Sequence, residues 1–156
     1  MKKVIIALDF NPSAQKVAEE GFALARSCGA EITLVHVRAD PQYYSSVEHI
    51  KVLGFTGLTK GEETILPEKI DPDTISSEFL EKVKQHLGND DIKLLVVGGS
   101  CAEALVETAK NLKSDMLVIG SHSRRWFEHN SLGSIAEKVL LNSSIPVLVI
   151  PTNKSY

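Results

Sequence analysis

Asp115-Met116-Leu117-Val118-Ile119-Gly120-Ser121-His122-Ser123 runs from an apolar stretch into a polar loop, and Leu132-Gly133-Ser134-Ile135-Ala136-Glu137-Lys138-Val139 leaves that loop as an amphipathic helix. Met116 to Ile119 is too short for a helix and is stopped by Gly120, so it reads as a strand buried on both faces. The loop carries Ser, His and Arg side chains, and a Gly-Ser pair opens the helix behind it. Backbone N–H groups at such a helix start lack intrahelical acceptors and sit at the positive end of the helix dipole. They form a natural seat for phosphate.

Working outward, the same unit recurs. Val4-Ile5-Ile6-Ala7-Leu8 is an apolar strand ending at Asp9, and Asn11-Pro12 marks a turn into a helix, with Asn11 or Asp9 as cap. Val17, Ala18, Phe22, Leu24, Ala25 and Cys28 give that helix its core stripe, and Gly29 ends it. Ile32 to Val37 is the second strand. Residues 38–71 show no clean period, and we expect an irregular excursion there with a short helix near 44–53. Asp71-Pro72 then starts a helix whose stripe is Ile75, Phe79, Leu80, Val83 and Leu87.

Ile92 to Val97 is the third strand, closed by Gly98-Gly99. Ser100 and Glu103 have the spacing of a capping box ahead of Leu105, Val106, Ala109 and Leu112. After the fourth strand, a helix from about Ser131 to Leu141 places Leu132, Ile135, Ala136, Val139 and Leu140 in the core. Val147 to Ile150, between Pro146 and Pro151, is the fifth strand. Apolar strands alternating with amphipathic helices predict one α/β domain over residues 1–156, with a parallel sheet and helices on both faces. Ligands of such sheets bind beyond the carboxyl ends of the strands where strand order reverses, which places Asp9, Val37, Gly98-Gly99 and Gly120 on one rim.

Composition narrows the function. The chain has 156 residues, a net charge of −3 and a pI of about 5.9. That balance argues against nucleic acid as a partner, which calls for a basic footprint. The local basic cluster, Arg124-Arg125, is too small for a nucleic-acid track. The two cysteines, Cys28 and Cys101, have no metal-ligand or CxxC spacing and suit a reducing cytoplasm. The run from Val4 to Leu8 is too short for the core of a signal peptide, and no apolar run reaches the ~18–20 residues of a membrane span. A soluble cytoplasmic protein is expected.

The spacing Gly120-x2-Ser123-x9-Gly133-Ser134 resembles the G-x2-G-x9-G-[ST] signature of the universal stress protein family, with Ser123 at the second glycine. The resemblance extends to Ile6-Ala7-Leu8-Asp9-Phe10, Leu34-Val35-His36-Val37, Gly99-Ser100-Cys101-Ala102-Glu103, Gly133 to Val139, and Ile145 to Pro151. It implies a Rossmann-like sheet, similar to the adenine nucleotide alpha hydrolases, in strand order 3-2-1-4-5.

It also implies an ATP site with Mg²⁺ held mainly by phosphate oxygens and water. By position, Gly120, Ser123, Gly133 and Ser134 would line the phosphates, with His122 and Ile135 as further candidate nucleotide-binding residues. Asp9 would lie near the adenosine, the Val37 backbone at the adenine edge, and Ala7 and Leu8 on the floor, with Gly99 and Ile119 completing the pocket. A left-handed conformation at Ser123 would cost ~1–2 kcal/mol relative to Gly. The resemblance further implies a homodimer joined antiparallel across Val147 to Ile150. Hydrolysis would be slow or absent, and the protein would act as a stress-signalling switch.

Other readings stay open on the residues alone. The loop glycines serve a nucleotide-independent dimeric interaction module, or the fold carries a slow ATPase or an adenylate-transfer enzyme. His36 within its strand reads as structural. His122 and His129 read as solvated loop residues, Arg124 and Arg125 as surface charges, Trp126-Phe127 as packing or interface, and Cys101 as an inert thiol.

Overall fold

Alternation along each strand decides which helix pair it meets. The computed structural model describes residues 1–11, 13–38, 72–121 and 132–152. It contains β1 (Lys3–Ala7), α1 (Ala14–Ser27), β2 (Glu31–Val37), α2 (Pro72–Leu87), β3 (Lys93–Val97), α3 (Cys101–Asn111), β4 (Met116–Gly120), α4 (Ser134–Asn142) and β5 (Val147–Ile150). All pairings are parallel and the order is β3-β2-β1-β4-β5, as expected.

Val4, Ile6, Ile32, Leu34, Val118 and Ile150 point to one face, where Ala14, Val17, Ala18 and Ala25 of α1 and Ile75, Phe79, Leu80 and Val83 of α2 cover them. Ile5, Val35, Val37, Leu117 and Ile119 point to the other, under Ala102, Leu105 and Ala109 of α3 and Ala136 and Val139 of α4. Burial of both faces is why the strands read as continuous apolar runs. Gly21, unremarked in the sequence, lets α1 lie close to the sheet. A Cβ there would come within 3.1 Å of both Ile6 Cδ1 and Val118 Cγ1.

Several local expectations are corrected. Cys28 is exposed, at the C-terminal end of α1; Leu140, expected in the core, is 44% exposed, and its neighbour Leu141 77%, because α4 covers the outer end of the sheet with one side only. Helix α4 starts at Ser134 rather than Ser131, with Gly133 at its cap position. Ser100 caps α3 in backbone conformation, but its side chain makes no capping hydrogen bond; at this exposed turn water competes for both partners. The short helix expected near 44–53 lies outside the described residues.

Helix ends show where glycine matters. Gly29 (φ +64°) ends α1, with its own N–H donating to Arg26 O and the Ala30 N–H to Ala25 O. Helix α3 ends with the same pair of bonds, Lys113 N–H to Lys110 O and Ser114 N–H to Ala109 O, but places Lys113 at φ 52°. Relief of the left-handed penalty, less the entropy of a glycine, predicts that Lys113→Gly stabilises the protein by about 0.5–1 kcal/mol in urea denaturation.

At the amino ends of the strands, the Asp115 carboxylate accepts the N–H groups of Lys2 (2.7 Å) and Lys3 (2.8 Å), and these bonds hold its pKa below the ordinary aspartate range. A depressed folded-state pKa contributes stability above the unfolded value that is lost as pH falls through the folded one. Asp115→Asn is therefore expected to destabilise at pH 7, with the difference from wild type closing in acid below the aspartate range. Thermal unfolding followed against pH reads this out.

Candidate functional site

Strand order reverses between β1 and β4, and the site is built where these two strands end. The Leu8 N–H continues the ladder by donating to Val35 O at 2.9 Å. The Leu8 carbonyl is taken by His36 Nδ1 at 2.8 Å. A carbonyl only accepts, so this ring nitrogen carries the proton. His36 is 1% exposed, with its ring centroid 4.5 Å from Phe10 and 5.9 Å from Phe79. Its place is beneath the site, fixing the end of β1, which is the structural role expected of it.

Above this support the chain turns through two side chain–backbone bonds in series. Asp9 Oδ1 accepts the Asn11 N–H at 3.1 Å, and Asn11 Oδ1 accepts both the N–H (3.0 Å) and the hydroxyl (2.8 Å) of Ser13. Asn11 and Asp9 thus shape the turn, while the cap position of α1 falls to Ser13.

A cleft of about 640 Å³, measured with its open mouth, lies over this turn. It is lined by Ala7, Leu8, Val35, Val37, Ile119 and Gly120 at the strand ends, by Asp9, Ser13, Ala14 and Val17 of the following turn and α1, and by Cys101, Leu105, Ile135 and Ala136 of α3 and α4. The lining is apolar apart from Asp9, Ser13, Cys101 and the backbone, which suits a flat, weakly polar ring system more than a charged one.

The structure thus gathers Ala7, Leu8, Asp9, Val37, Ile119, Gly120 and Ile135 from the sequence reading into one cleft. Gly133 and Ser134 are not lining residues; they immediately precede Ile135 and Ala136, which are. Gly99 also stands outside the lining, and its φ of +106° makes it the turn between β3 and α3. His122 and Ser123 lie outside the described residues. Sequence reasoning missed Val35, Ser13, Ala14, Val17, Cys101, Leu105 and Ala136. Val35 was recoverable, since it lies two residues before Val37 on the same strand face.

Two glycines of the motif have roles within the protein. Space for a Cβ on Gly120 is already occupied, with Val17 Cγ2 at 3.1 Å and Thr152 Cγ2 at 3.2 Å. Gly133 has an ordinary φ of −59°, and its N–H donates to the Ser121 carbonyl at 2.8 Å. The N–H groups facing outward from the first turn of α4 without an intrahelical acceptor are therefore those of Ser134, Ile135 and Ala136. Among the described residues no group of three or more His, Cys, Asp or Glu side chains is placed to hold a metal ion, and no helix is long and apolar enough to cross a membrane.

A family model for universal stress proteins matches residues 1–151. The chain belongs to the universal stress protein family. Among its universal stress protein relatives, one from Methanocaldococcus jannaschii is 28% identical over 98% of this chain and 84% of its own length. Solved universal stress proteins share the fold. One, in complex with cAMP, superposes with a TM-score of 0.61 at 20% identity, covering 96% of this chain and 95% of its own. Another, from Archaeoglobus fulgidus in complex with dAMP, gives 0.57 at 20% identity, covering 96% and 98%. The Rossmann-like reading of this universal stress protein is thereby established.

Proposed function

We propose that this universal stress protein binds an adenine nucleotide, ATP with Mg²⁺, in the cleft between β1 and β4 and acts as a nucleotide-dependent switch. One observation carries the reading: a mostly apolar cleft at the reversal of strand order opens beside a helix start whose N–H groups have no intrahelical acceptor. The base packs over Ala7, Leu8, Val35 and Val37. Asp9 meets the ribose, and the phosphates lie on Ser134 to Ala136 with Gly120 and Gly133 beside them. Mg²⁺ is held by phosphate oxygens and water, because Asp9 is the only carboxylate among the described lining residues. Hydrolysis is slow or absent. Relatives crystallised with cAMP and with dAMP support an adenine nucleotide.

The switch operates by differential affinity of the nucleotide for two conformations. Copies associate antiparallel through β5, the terminal strand of the described sheet, next to the exposed Leu140 and Leu141. Calorimetric titration with MgATP, with AMP and cAMP in parallel, tests the site. Saturable binding with ATP strongest supports it; no heat and no thermal shift, after any co-purified nucleotide is stripped, overturns it. A nucleotide-independent interaction module is the second reading. It is favoured by the internal packing that already accounts for Gly120 and by the internal bond already made by the Gly133 N–H.

A further inference from the structure

We propose that Ser121 and Thr152 form a latch through which the chain leaving β5 positions the phosphate-facing turn of α4; this rests on the nucleotide reading above. Ser121 follows β4 directly and is 8% exposed. Its N–H donates to Ile150 O at 2.9 Å, its carbonyl accepts the Gly133 N–H at 2.8 Å, and its Oγ accepts the Thr152 N–H at 2.9 Å. Its Oγ also lies 3.2 Å from Thr152 Oγ1. One serine therefore joins three segments: the end of β4, the cap of α4 and the residue two beyond β5.

The coupling has a direction. Glycine at 120 lets the Thr152 methyl and Val17 press onto the backbone beside Ser121, so neither strand end shifts alone. The Lys16 ammonium donates to Pro151 O at 2.8 Å and holds the same tail against α1. The Ser121 carbonyl fixes the Gly133 N–H, and the Gly133 carbonyl accepts the Glu137 N–H at 2.9 Å to begin α4. Displacing Thr152 thus tilts the turn that presents the Ser134, Ile135 and Ala136 N–H groups. Ser121 touches no nucleotide in this scheme and is a positioning residue. Because Thr152 follows β5, whatever pairs with that strand bears on the phosphate end of the site and leaves the base end untouched.

The test titrates wild type, Ser121→Ala and Ser121→Thr with MgATP and with adenosine. Loss of one buried acceptor is expected to weaken MgATP about tenfold in Ser121→Ala and adenosine less than about twofold. Ser121→Thr keeps the oxygen and restores most of the affinity. A general structural defect would weaken both ligands alike, and that result overturns the proposal. In nucleotide-free protein, amide exchange at Gly133 is expected to speed up at least about tenfold in Ser121→Ala while Ile6 and Leu34 in the sheet hold wild-type rates. Unchanged Gly133 exchange also overturns it. If wild type binds neither ligand, the nucleotide reading falls, and Gly133 exchange alone decides whether the latch exists.

Discussion

Ser134→Asp is expected to lose about 100-fold in MgATP affinity while folding as stably as wild type or slightly more so. Ser134 is the first residue of α4, exposed, with Gly133 at the cap. A carboxylate there sits at the positive end of the helix and gains roughly 0.3–1 kcal/mol. Facing a bound nucleotide it meets like charge. Two phosphate charges within ~5 Å, at an effective dielectric between that of water and that of the protein surface, cost about 3 kcal/mol together, which is the 100-fold loss. The opposite signs make the variant diagnostic: a defective fold lowers both quantities, whereas an anion site loses binding alone. Ser134→Ala, which removes only a hydroxyl, should cost roughly three- to tenfold. Calorimetry and urea denaturation of the same preparation measure both effects. Unchanged ATP affinity in Ser134→Asp would remove the α4 turn from the site.

Phe79→Ala is expected to destabilise by ~3–5 kcal/mol, a large part of the roughly 5–15 kcal/mol that holds a domain folded. Phe79 is 2% exposed in α2, and its ring centroid lies 5.0 Å from that of Phe10 and 5.9 Å from that of His36. Its removal opens a void where α2 meets the end of β1, and neighbouring rings fill such a void only partly. For a chain of this length, urea titration should show the loss and the melting temperature should fall by roughly 10 °C. The same void loosens the His36 bond to the Leu8 carbonyl, so the floor of the cleft softens with the core. A loss below about 1 kcal/mol would mean that the ring is not packed in solution as described.

The strands and the core stripes of α1 and α2 were legible because burial on both faces leaves an unbroken apolar run and helix burial leaves a three- to four-residue beat. Strand order came from the family resemblance, which five quoted segments carried along the chain. Leu140 was misplaced because periodicity marks a stripe without saying how much of it the sheet reaches, and α4 lies over the terminal strand. The capping spacing of Ser100 and Glu103 allowed a bond that the exposed turn does not make.

In the site, the floor residues were legible from their places at strand ends. Gly120 and Gly133 were read as room for phosphate. Their internal partners, Val17, Thr152 and the Ser121 carbonyl, come from segments far apart in sequence or across the loop, which no local pattern reveals. Ser121 and Thr152 lacked any signal for the same reason.

The placement of β1 has a consequence for synthesis. Of the five described strands, the earliest in the chain is the middle one of the sheet, flanked by β2 and β4. Its β2 side is covered after some thirty residues, but Val4, Ile5 and Ile6 wait for Met116, Leu117 and Val118 on the other. That is about a hundred residues later, roughly 5–20 s at ordinary rates of translation. Throughout that interval a growing chain carries a half-finished sheet with an apolar, unpaired margin at its centre. The completed order of strands buries this most vulnerable margin deepest, so the hazard belongs to the nascent chain and ends with the arrival of β4.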